Sequence, residues 1–122
     1  MSITARVHDL VSYVEQGRII EAIEEFYHHG VVMRENLNPP TVGKAANLER
    51  ERNFVASIAQ VHENRAVSVF VEGNRAVIHW TFEFTGTDGK RLRFDQVALQ
   101  VWDGERIISE RFVYDPATLA AA

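Results

Sequence analysis

Hydrophobic residues recur at helical spacing along the first half of the chain. They predict one helix over residues 4–16, a second over 18–29, and a third that begins near Thr41 or Gly43 and ends near His62. A glycine follows each of the first two helices, as is common at a helix C-terminus. The apolar stripes of the three helices are formed, in chain order, by Val7, Leu10, Val11, Val14, Ile19, Ile20, Ile23, Phe26, Tyr27, Leu48, Val55, Ile58 and Ala59.

A short strand is predicted between the second and third helices, and four longer strands follow the third helix. The short strand covers residues 31–36 and ends before Pro39 and Pro40, which cannot donate a backbone hydrogen bond. From Asn64 onward apolar and polar residues alternate. Short turns that contain glycine connect the strands and predict an antiparallel meander. Its four strands are expected over residues 66–72, 75–85, 91–103 and 106–114.

Three helices before a four-stranded meander predict an α+β fold in which the helices cover one face of the sheet. The length of 122 residues suits a single domain over residues 1–122. Alternation along the strands places a set of mostly aromatic side chains on one face, where they fill a core or line a cavity. These residues are Ile78, Trp80, Phe82, Phe84, Phe94, Trp102, Phe112 and Tyr114.

The opposite face of the third long strand is also apolar, since it carries Val97, Leu99 and Val101. A sheet face that is exposed to water is normally polar. We therefore expect a second copy of the chain to cover this patch, with His79 and Thr81 near the contact. The predicted assembly is a homodimer through the outer face of the sheet.

The composition excludes several classes of partner and chemistry. With 46% hydrophobic and 25% charged residues, the chain resembles ordinary soluble domains, and no apolar run is long enough to cross a membrane. A net charge of −4 without a cluster of Lys and Arg argues against nucleic-acid binding. The absence of cysteine excludes disulfides and thiolate chemistry. Residues 1–6 lack the apolar core of a secretory signal, so the cytoplasm is the expected compartment.

The order of these elements resembles the SnoaL-like part of the nuclear transport factor 2-like (NTF2-like) superfamily. The resemblance spans nearly the whole chain and is carried by residues 17–23, 26–27, 31–35, Gly43 and 102–115. It implies a cone, in which a bent antiparallel sheet wraps around three N-terminal helices and leaves a pocket at the open end. Many members are dimers through the outer sheet face. The superfamily includes ketosteroid isomerases, polyketide cyclases, dehydratases, epoxide hydrolases and non-enzymatic binders, so the fold does not fix the function.

Ketosteroid isomerase gives the sharpest comparison within this superfamily. Aligned without gaps from Tyr27, its general-base aspartate falls on Glu35. Its oxyanion-hole tyrosine, counted from Gly17, falls on Leu10, and its oxyanion-hole acid falls on or near Ala98. One catalytic position is kept in kind and two are lost. The resemblance therefore argues against steroid isomerisation and implies a pocket that contains a carboxylate.

Two glutamates are candidates for acid–base chemistry. Glu35 could be a general base whose pKa is raised by burial among aromatic rings, or it could form a salt bridge with an arginine. A shift of one residue in the strand would turn Asn36 inward instead. Glu110 alternates with Phe112 and Tyr114, so it shares the ring-bearing face, where a carboxylate must be paired or protonated. It could bind a ligand, share a proton with Glu35, or pair with an arginine near the rim.

Further side chains are expected at the same pocket, and each has a plain core role as its alternative. Gln96 and Gln100 flank Ala98 and could either bind a ligand carbonyl or satisfy nearby backbone groups. Tyrosine hydroxyl groups could donate hydrogen bonds into the same space. The complete set of expected ligand-binding residues is Tyr13, Tyr27, Met33, Trp80, Phe82, Phe94, Gln96, Gln100, Phe112 and Tyr114.

No metal or other cofactor is expected from the sequence motifs. The five histidines lack metal-ligand spacing, and the chain has neither an HExxH motif nor a Gly-rich phosphate loop. His28 and His29 are predicted at the end of the second helix, where a partial positive charge suits the helix dipole. Lys44, Arg50 and Arg52 of the third helix predict a solvated face.

The sequence therefore indicates a protein whose pocket holds a small hydrophobic molecule. The leading hypothesis is a cofactor-independent enzyme of the isomerase, cyclase or dehydratase type. It would use Glu35, with or without Glu110, for proton transfer on a hydrophobic carbonyl compound. The alternative is a non-catalytic, dimeric protein of the same fold that binds a small molecule or acts as an accessory protein. A third hypothesis is a dimerisation module with a filled cone.

Overall fold

The helices precede the long strands, as the change in hydrophobic period predicts. The computed structural model describes residues 2–117. Within this range no helix is both long enough and apolar enough to cross a membrane. The three helices and the sheet confirm the α+β class. The elements are α1 (Thr4–Glu15), α2 (Ile19–Phe26), β1 (Tyr27–Glu35), β2 (Thr41–Val42), α3 (Lys44–Ala56), β3 (Ile58–Glu72), β4 (Arg75–Gly86), β5 (Arg91–Asp103) and β6 (Arg106–Val113).

Six strands form one mixed sheet in the order β2-β1-β6-β5-β4-β3. From β3 to β6 each strand pairs antiparallel with the next one along the chain, which confirms the predicted meander. β1 pairs parallel to β6, with Met33 opposite Glu110, and β2 pairs antiparallel to β1. The expectation of a wholly antiparallel sheet is therefore wrong. β1 and β6 are separated by most of the chain, so no short turn forces them to run antiparallel.

The first long strand begins earlier than predicted, because irregular pairing hides its period. α3 ends at Ala56, before the predicted end at His62, and β3 begins at Ile58. The register of β3 against β4 shifts at three places between Ile58 and Ser68. Each such bulge interrupts the alternation of apolar and polar residues, bends the strand and increases its twist. The same shifts therefore obscure the strand in the sequence and curve the sheet around the helices.

The second helix is shorter than predicted, because its last residues belong to the sheet. α2 gives way to β1 at Tyr27, whose backbone is extended, and Tyr27 pairs with Ile107 of β6. His28, His29 and Gly30 consequently lie in β1. The predicted helix end at Gly30 and the proposed dipole role of the two histidines are wrong. Their imidazole rings stack on each other with centroids 4.3 Å apart.

The core lies between the helices and the inner face of the sheet. On that face, alternate residues of β4 and β5 point toward α1 and α2, as predicted from the sequence. Burying these side chains supplies the main driving force for folding. The largest fully buried side chains are Trp102, Phe26, Leu10, Ile23, Ile78, Ile107, Val7 and Val31, together with the amide side chain of Asn47.

The outer face of the sheet carries a contiguous apolar patch. Phe70 pairs with Val77 and Val77 pairs with Leu99, so three strands contribute adjacent side chains. Phe70 is 64% exposed and Leu99 is 39% exposed. Thr81, which was expected near this surface, is buried and accepts a hydrogen bond from Arg93. We define the outer patch as Phe70, Val77, Val97, Leu99 and Val113.

Replacing Ile78 by Ala should lower the free energy of unfolding by about 2–4 kcal/mol, because the change leaves a cavity in a fully buried site. Urea denaturation followed by circular dichroism measures this loss. The control is Val42→Ala, since Val42 is 64% exposed and its truncation should change stability by about 0.5 kcal/mol or less. A similar, small effect of both substitutions would contradict the assigned core.

Candidate functional site

A cavity of about 460 Å³ lies between the helices and the inner face of the sheet. This volume suits a small organic ligand. α1, α2 and α3 border the cavity on one side, and β1, β3, β4, β5 and β6 supply the other side. The cavity brings together most of the predicted site residues: Glu35, Glu110, Tyr27, Met33, Trp80, Phe82, Phe94, Gln96, Gln100 and Phe112.

Tyr13 and Tyr114 are the predicted site residues that do not line the cavity. Tyr13 packs edge-on against Phe26, with ring centroids 5.1 Å apart, and the guanidinium of Arg18 lies 4.1 Å from its centroid. The Tyr114 hydroxyl donates a hydrogen bond of 2.8 Å to Glu35. Tyr13 is therefore part of the core, whereas Tyr114 reaches the site through Glu35.

One wall of the cavity is aromatic. Phe54 of α3 faces Phe82 and Phe94 of the sheet, with ring centroids 6.2 and 6.0 Å apart. Phe82 and Phe94 are cross-strand partners whose rings lie nearly parallel, 6.5 Å apart. A wall of this kind excludes water and offers flat surfaces to a ring-bearing ligand.

Glu110 lies at the floor of the cavity and is only 2% exposed. It sits opposite Gln100 of β5 and Met33 of β1. Its Oε2 accepts a hydrogen bond of 2.7 Å from Gln100 Nε2, and its Oε1 accepts one from the Tyr27 hydroxyl. Trp102 Nε1 in turn donates to Gln100 Oε1 at 3.0 Å. The groups that bond to the Glu110 carboxyl are therefore neutral.

Burial raises the pKa of Glu110 from an ordinary 4.5 to about 7. The hydrogen bonds from Tyr27 and Gln100 favour the ionised form and oppose this rise; nearby Glu51 adds to the rise, and Arg50 opposes it. Burial, followed by the charge of Glu110, raises the pKa of Tyr27. Glu110 can therefore gain and lose a proton near neutral pH, while the Tyr27 hydroxyl keeps its own.

Glu35 lines the cavity on the same face of β1 as Met33, and its side chain is 39% exposed. Besides accepting from Tyr114, it lies 3.8 Å from the guanidinium of Arg50. Asn36, the alternative inward residue, has a left-handed backbone and accepts a hydrogen bond from the Tyr114 amide. Burial and the bond to Glu35 raise the pKa of Tyr114 to about 12.

Arg50 and Glu51 of α3 belong to the site, although the sequence analysis did not place them there. Arg50 lines the cavity, so the expectation that it lies on a solvated face is wrong. Its guanidinium lies 3.3 Å from Glu51. Burial raises the pKa of Glu51; Arg50 opposes this rise and Glu35 adds to it. Asn47 and Glu51 are the buried residues of α3, four positions apart. Polar residues at this helical spacing are the signal that a search for apolar stripes overlooks.

The cavity therefore combines three carboxyl groups with the guanidinium of Arg50. Arg50 is shared between Glu35 and Glu51, whereas Glu110 is held by neutral donors. Glu35 and Glu110 project from neighbouring strands into the same space. Glu35 beside a guanidinium and Glu110 among neutral donors therefore lie in different electrostatic environments within one cavity.

The histidines lie apart from this constellation. His62 bonds to Thr85, and His79 bonds to Asp95 at 2.5 Å on the outer face. Over residues 2–117, no three His, Asp or Glu side chains are grouped as metal ligands.

Comparison with known proteins finds one matching domain family and a set of solved structures that share the fold. The sequence profile of the SnoaL-like domain matches residues 7–110. No curated protein matches the sequence. Solved structures with 13–23% identity share the fold over most of their length, and at this identity the likeness shows the fold alone.

Three of these structures illustrate the range. A protein of Mesorhizobium loti assigned as a SnoaL-like polyketide cyclase is 23% identical; the match covers 92% of this chain and 98% of that one, with a TM-score of 0.78. TerC, co-crystallised with polyporic acid, is 16% identical over 98% of each chain, with a TM-score of 0.79. An LEH-like epoxide hydrolase of M. tuberculosis is 13% identical over 96% of this chain and 85% of that one, with a TM-score of 0.75.

The raised pKa of Glu110 predicts a pH-dependent stability. Between its ordinary value of 4.5 and about 7, the folded protein binds the proton more tightly than the unfolded chain, so the free energy of unfolding falls as pH rises through this window. This decrease in the free energy of unfolding is on the order of 3 kcal/mol across the window, and it should be absent in Glu110→Gln. Urea denaturation at a series of pH values measures this slope.

The matched control is Glu49→Gln, because Glu49 is an exposed carboxylate of α3 and its removal should leave the slope unchanged. Carboxyl ¹³C NMR of the native protein gives the second measurement. A Glu110 resonance that titrates near 4.5 would show that burial does not hold the proton.

Proposed function

We propose a catalytic function for this chain, which belongs to the SnoaL-like domain family. The proposed activity is proton transfer on a small hydrophobic carbonyl compound, with pocket carboxyl groups as acid and base and without a cofactor. One observation carries this proposal: Glu110 is buried at the floor of a largely apolar cavity, with a pKa of about 7. A carboxyl group with that pKa can both give and take a proton at neutral pH.

Glu35 is the proposed base. It lies two residues beyond Met33, the register partner of Glu110, and on the same face of β1. The Arg50 guanidinium lies 3.8 Å from its carboxyl group, and the Tyr114 hydroxyl donates a hydrogen bond to it. In the proposed step, Glu35 takes a proton from the carbon next to the carbonyl, and the Glu110 carboxyl is the source of the proton that the carbonyl oxygen receives. The product is an enol, and the reverse step returns a proton to carbon.

The proposed ligand is small, apolar and ring-bearing. The volume of the cavity and the rings of Phe54, Phe82 and Phe94 support this class. TerC, which shares the fold, was crystallised with the small molecule polyporic acid. Apart from the carboxyl groups and Arg50, the lining residues with polar side-chain atoms are Asn64, Gln96, Gln100, Tyr27 and Trp80, which suit a few ligand oxygens.

Non-catalytic binding is the second candidate function. Two observations favour it. Leu10 and Ala98 supply no hydrogen-bond donor at positions where the sequence comparison places the oxyanion hole of ketosteroid isomerase. The guanidinium that neutralises Glu35 is also shared with Glu51, so the charge of Glu35 is satisfied without a ligand.

We also propose that two copies of the chain associate through the outer patch. Phe70, Leu99 and Val113 expose apolar surface on three strands; Val77 lies between Phe70 and Leu99, and Val97 pairs with Val113. Contiguous apolar surface of this kind is typical of protein interfaces. An isologous contact between two sheets would bury both copies of the patch.

Glu35→Gln should abolish catalysed exchange of the proton next to a ketone carbonyl, with a loss of about a hundredfold or more, because the amide cannot accept that proton. Deuterium incorporation into 2-tetralone in heavy water, followed by proton NMR, measures the rate. Glu110→Gln should slow the exchange and remove its dependence on pH near neutrality.

Glu49→Gln is the control for this experiment, since the side chain is exposed on α3 and should leave the rate unchanged. Binding of 2-tetralone with an exchange rate no faster than in buffer would favour the non-catalytic function.

Leu99→Lys should convert the proposed dimer to a monomer, because it places a charge in the outer patch, which the dimer contact would bury. Analytical ultracentrifugation at micromolar concentration measures the change. Leu37→Lys is the matched control, since Leu37 is 72% exposed and lies outside the outer patch. A native monomer, or a dimer that both variants retain, would exclude this interface.

A further inference from the structure

We infer that the Tyr27 hydroxyl is the group that contacts the carbonyl oxygen of the ligand, and that Glu110 reverses the direction of that hydrogen bond. This inference deepens the proposed function and rests on it. It names Tyr27 as a catalytic residue and enolisable ketones as the substrate class. The argument starts from the hydrogen-bond chain that runs from Trp102 through Gln100 and Glu110 to Tyr27.

The direction of the chain is fixed at its Trp102 end. An indole N–H can only donate, so the Gln100 atom that receives the 3.0 Å bond from Trp102 is the amide oxygen. The Gln100 amide nitrogen must then face Glu110, and it donates to Oε2 at 2.7 Å. Oε2 of Glu110 is consequently a permanent acceptor.

The proton of the neutral Glu110 carboxyl therefore belongs on Oε1, which faces the Tyr27 hydroxyl. A tyrosine hydroxyl has a single proton. When Glu110 donates to the Tyr27 oxygen, the Tyr27 proton must turn away from Glu110, and Tyr27 also lines the cavity. When Glu110 is ionised, the Tyr27 proton points to Oε1 and its oxygen is left to accept a bond.

The two states of this pair match the two forms of an enolisable ketone. Neutral Glu110 presents a donor to a carbonyl oxygen, and ionised Glu110 presents an acceptor to an enol hydroxyl. The proton of Glu110 moves to the Tyr27 oxygen as the Tyr27 proton moves to the ligand oxygen. One O–H bond breaks on Glu110, one forms on the ligand, and Tyr27 ends with one proton as before. Glu35 receives the proton from carbon.

The surrounding charges keep this exchange near neutral pH. Glu51 and Arg50 of α3 face the Glu110–Tyr27 pair and act in opposite directions on the pKa of Glu110, which is about 7. Glu35 lies further along β1 and shares Arg50 with Glu51. Burial keeps the pKa of Tyr27 raised, so its hydroxyl relays a proton without becoming ionised. Because burial also raises the pKa of Glu51, Glu51→Gln is needed as a separate control.

The test uses Prodan, a naphthyl ketone whose emission moves to longer wavelength when its carbonyl accepts a hydrogen bond. The reference probe is the naphthalene analogue in which a propyl group replaces the propionyl group. Native protein should bind Prodan about fivefold more tightly below the pKa of Glu110 than above it, the effect of one hydrogen bond, with emission at longer wavelength on the acidic side. The reference probe should bind equally at every pH.

Tyr27→Phe should abolish the pH dependence and the spectral shift while leaving affinity for the reference probe unchanged, which also shows that the variant folds. Glu110→Gln should bind Prodan tightly at every pH, because its amide can donate to Tyr27 as the neutral carboxyl does. Glu51→Gln should retain the transition but move its midpoint to lower pH, because the charge of Glu51 adds to the rise in the pKa of Glu110. A transition that survives in Tyr27→Phe, or weak binding to Glu110→Gln, would overturn the inference.

The outcomes separate this inference from the proposed function. Binding of both probes without any pH dependence overturns the role of Tyr27 and leaves the pocket assignment intact, whereas failure of the native protein to bind either probe overturns both. Should Tyr27→Phe not fold, native protein labelled with ¹³C-tyrosine provides the second readout. The Tyr27 ring resonance should move as Glu110 titrates and stay constant in Glu110→Gln.

Discussion

The parallel pairing of β1 with β6 positions every polar group of the cavity that lies on these two strands. Its register sets Met33 beside Glu110 and Glu35 beside Phe112, and a shift between Tyr27 and Val32 leaves Tyr27 within reach of Glu110. Side chains alternate across a strand, so a slip of one residue would turn Glu35 away from the cavity. The placement of Glu35 and Glu110 in one cavity therefore depends on backbone hydrogen bonds between two segments that are distant in sequence.

Burial and hydrogen bonding act on Glu110 in opposite directions, and their balance defines its chemistry. An apolar cavity alone would raise the pKa of the carboxyl further, whereas bonding to a cation would lower it. Gln100 and Tyr27 are neutral donors, so they moderate the effect of burial without cancelling it. Arg50 is directed instead toward Glu35 and Glu51. One cavity thus holds carboxyl groups with different hydrogen-bond and charge partners.

The sequence predicts those features that follow from local periodicity. The stripe of α1 appears in the helical spacing of apolar residues. The antiparallel meander and the inward position of Glu110 appear in the alternation of apolar and polar residues along the strands and in the short turns between them. The parallel partner of β1 could not be found this way, because no local signal specifies which distant strand pairs with Tyr27. Arg50 and Glu51 were missed because α3 turns polar residues toward the cavity, and the start of β3 was missed because its bulges break the alternation.

The irregular pairing of β3 with β4 affects the shape of the cavity. Each register shift between Ile58 and Ser68 adds local curvature to one edge of the sheet. The hydrogen-bonded carboxyl lies on β6, at a distance of two intervening strands. Insertion or deletion of a residue in β3 would therefore change the width of the cavity and leave the position of Glu110 on β6 unchanged. The shape of the cavity and the placement of its buried carboxyl group are therefore set by different strands of the sheet.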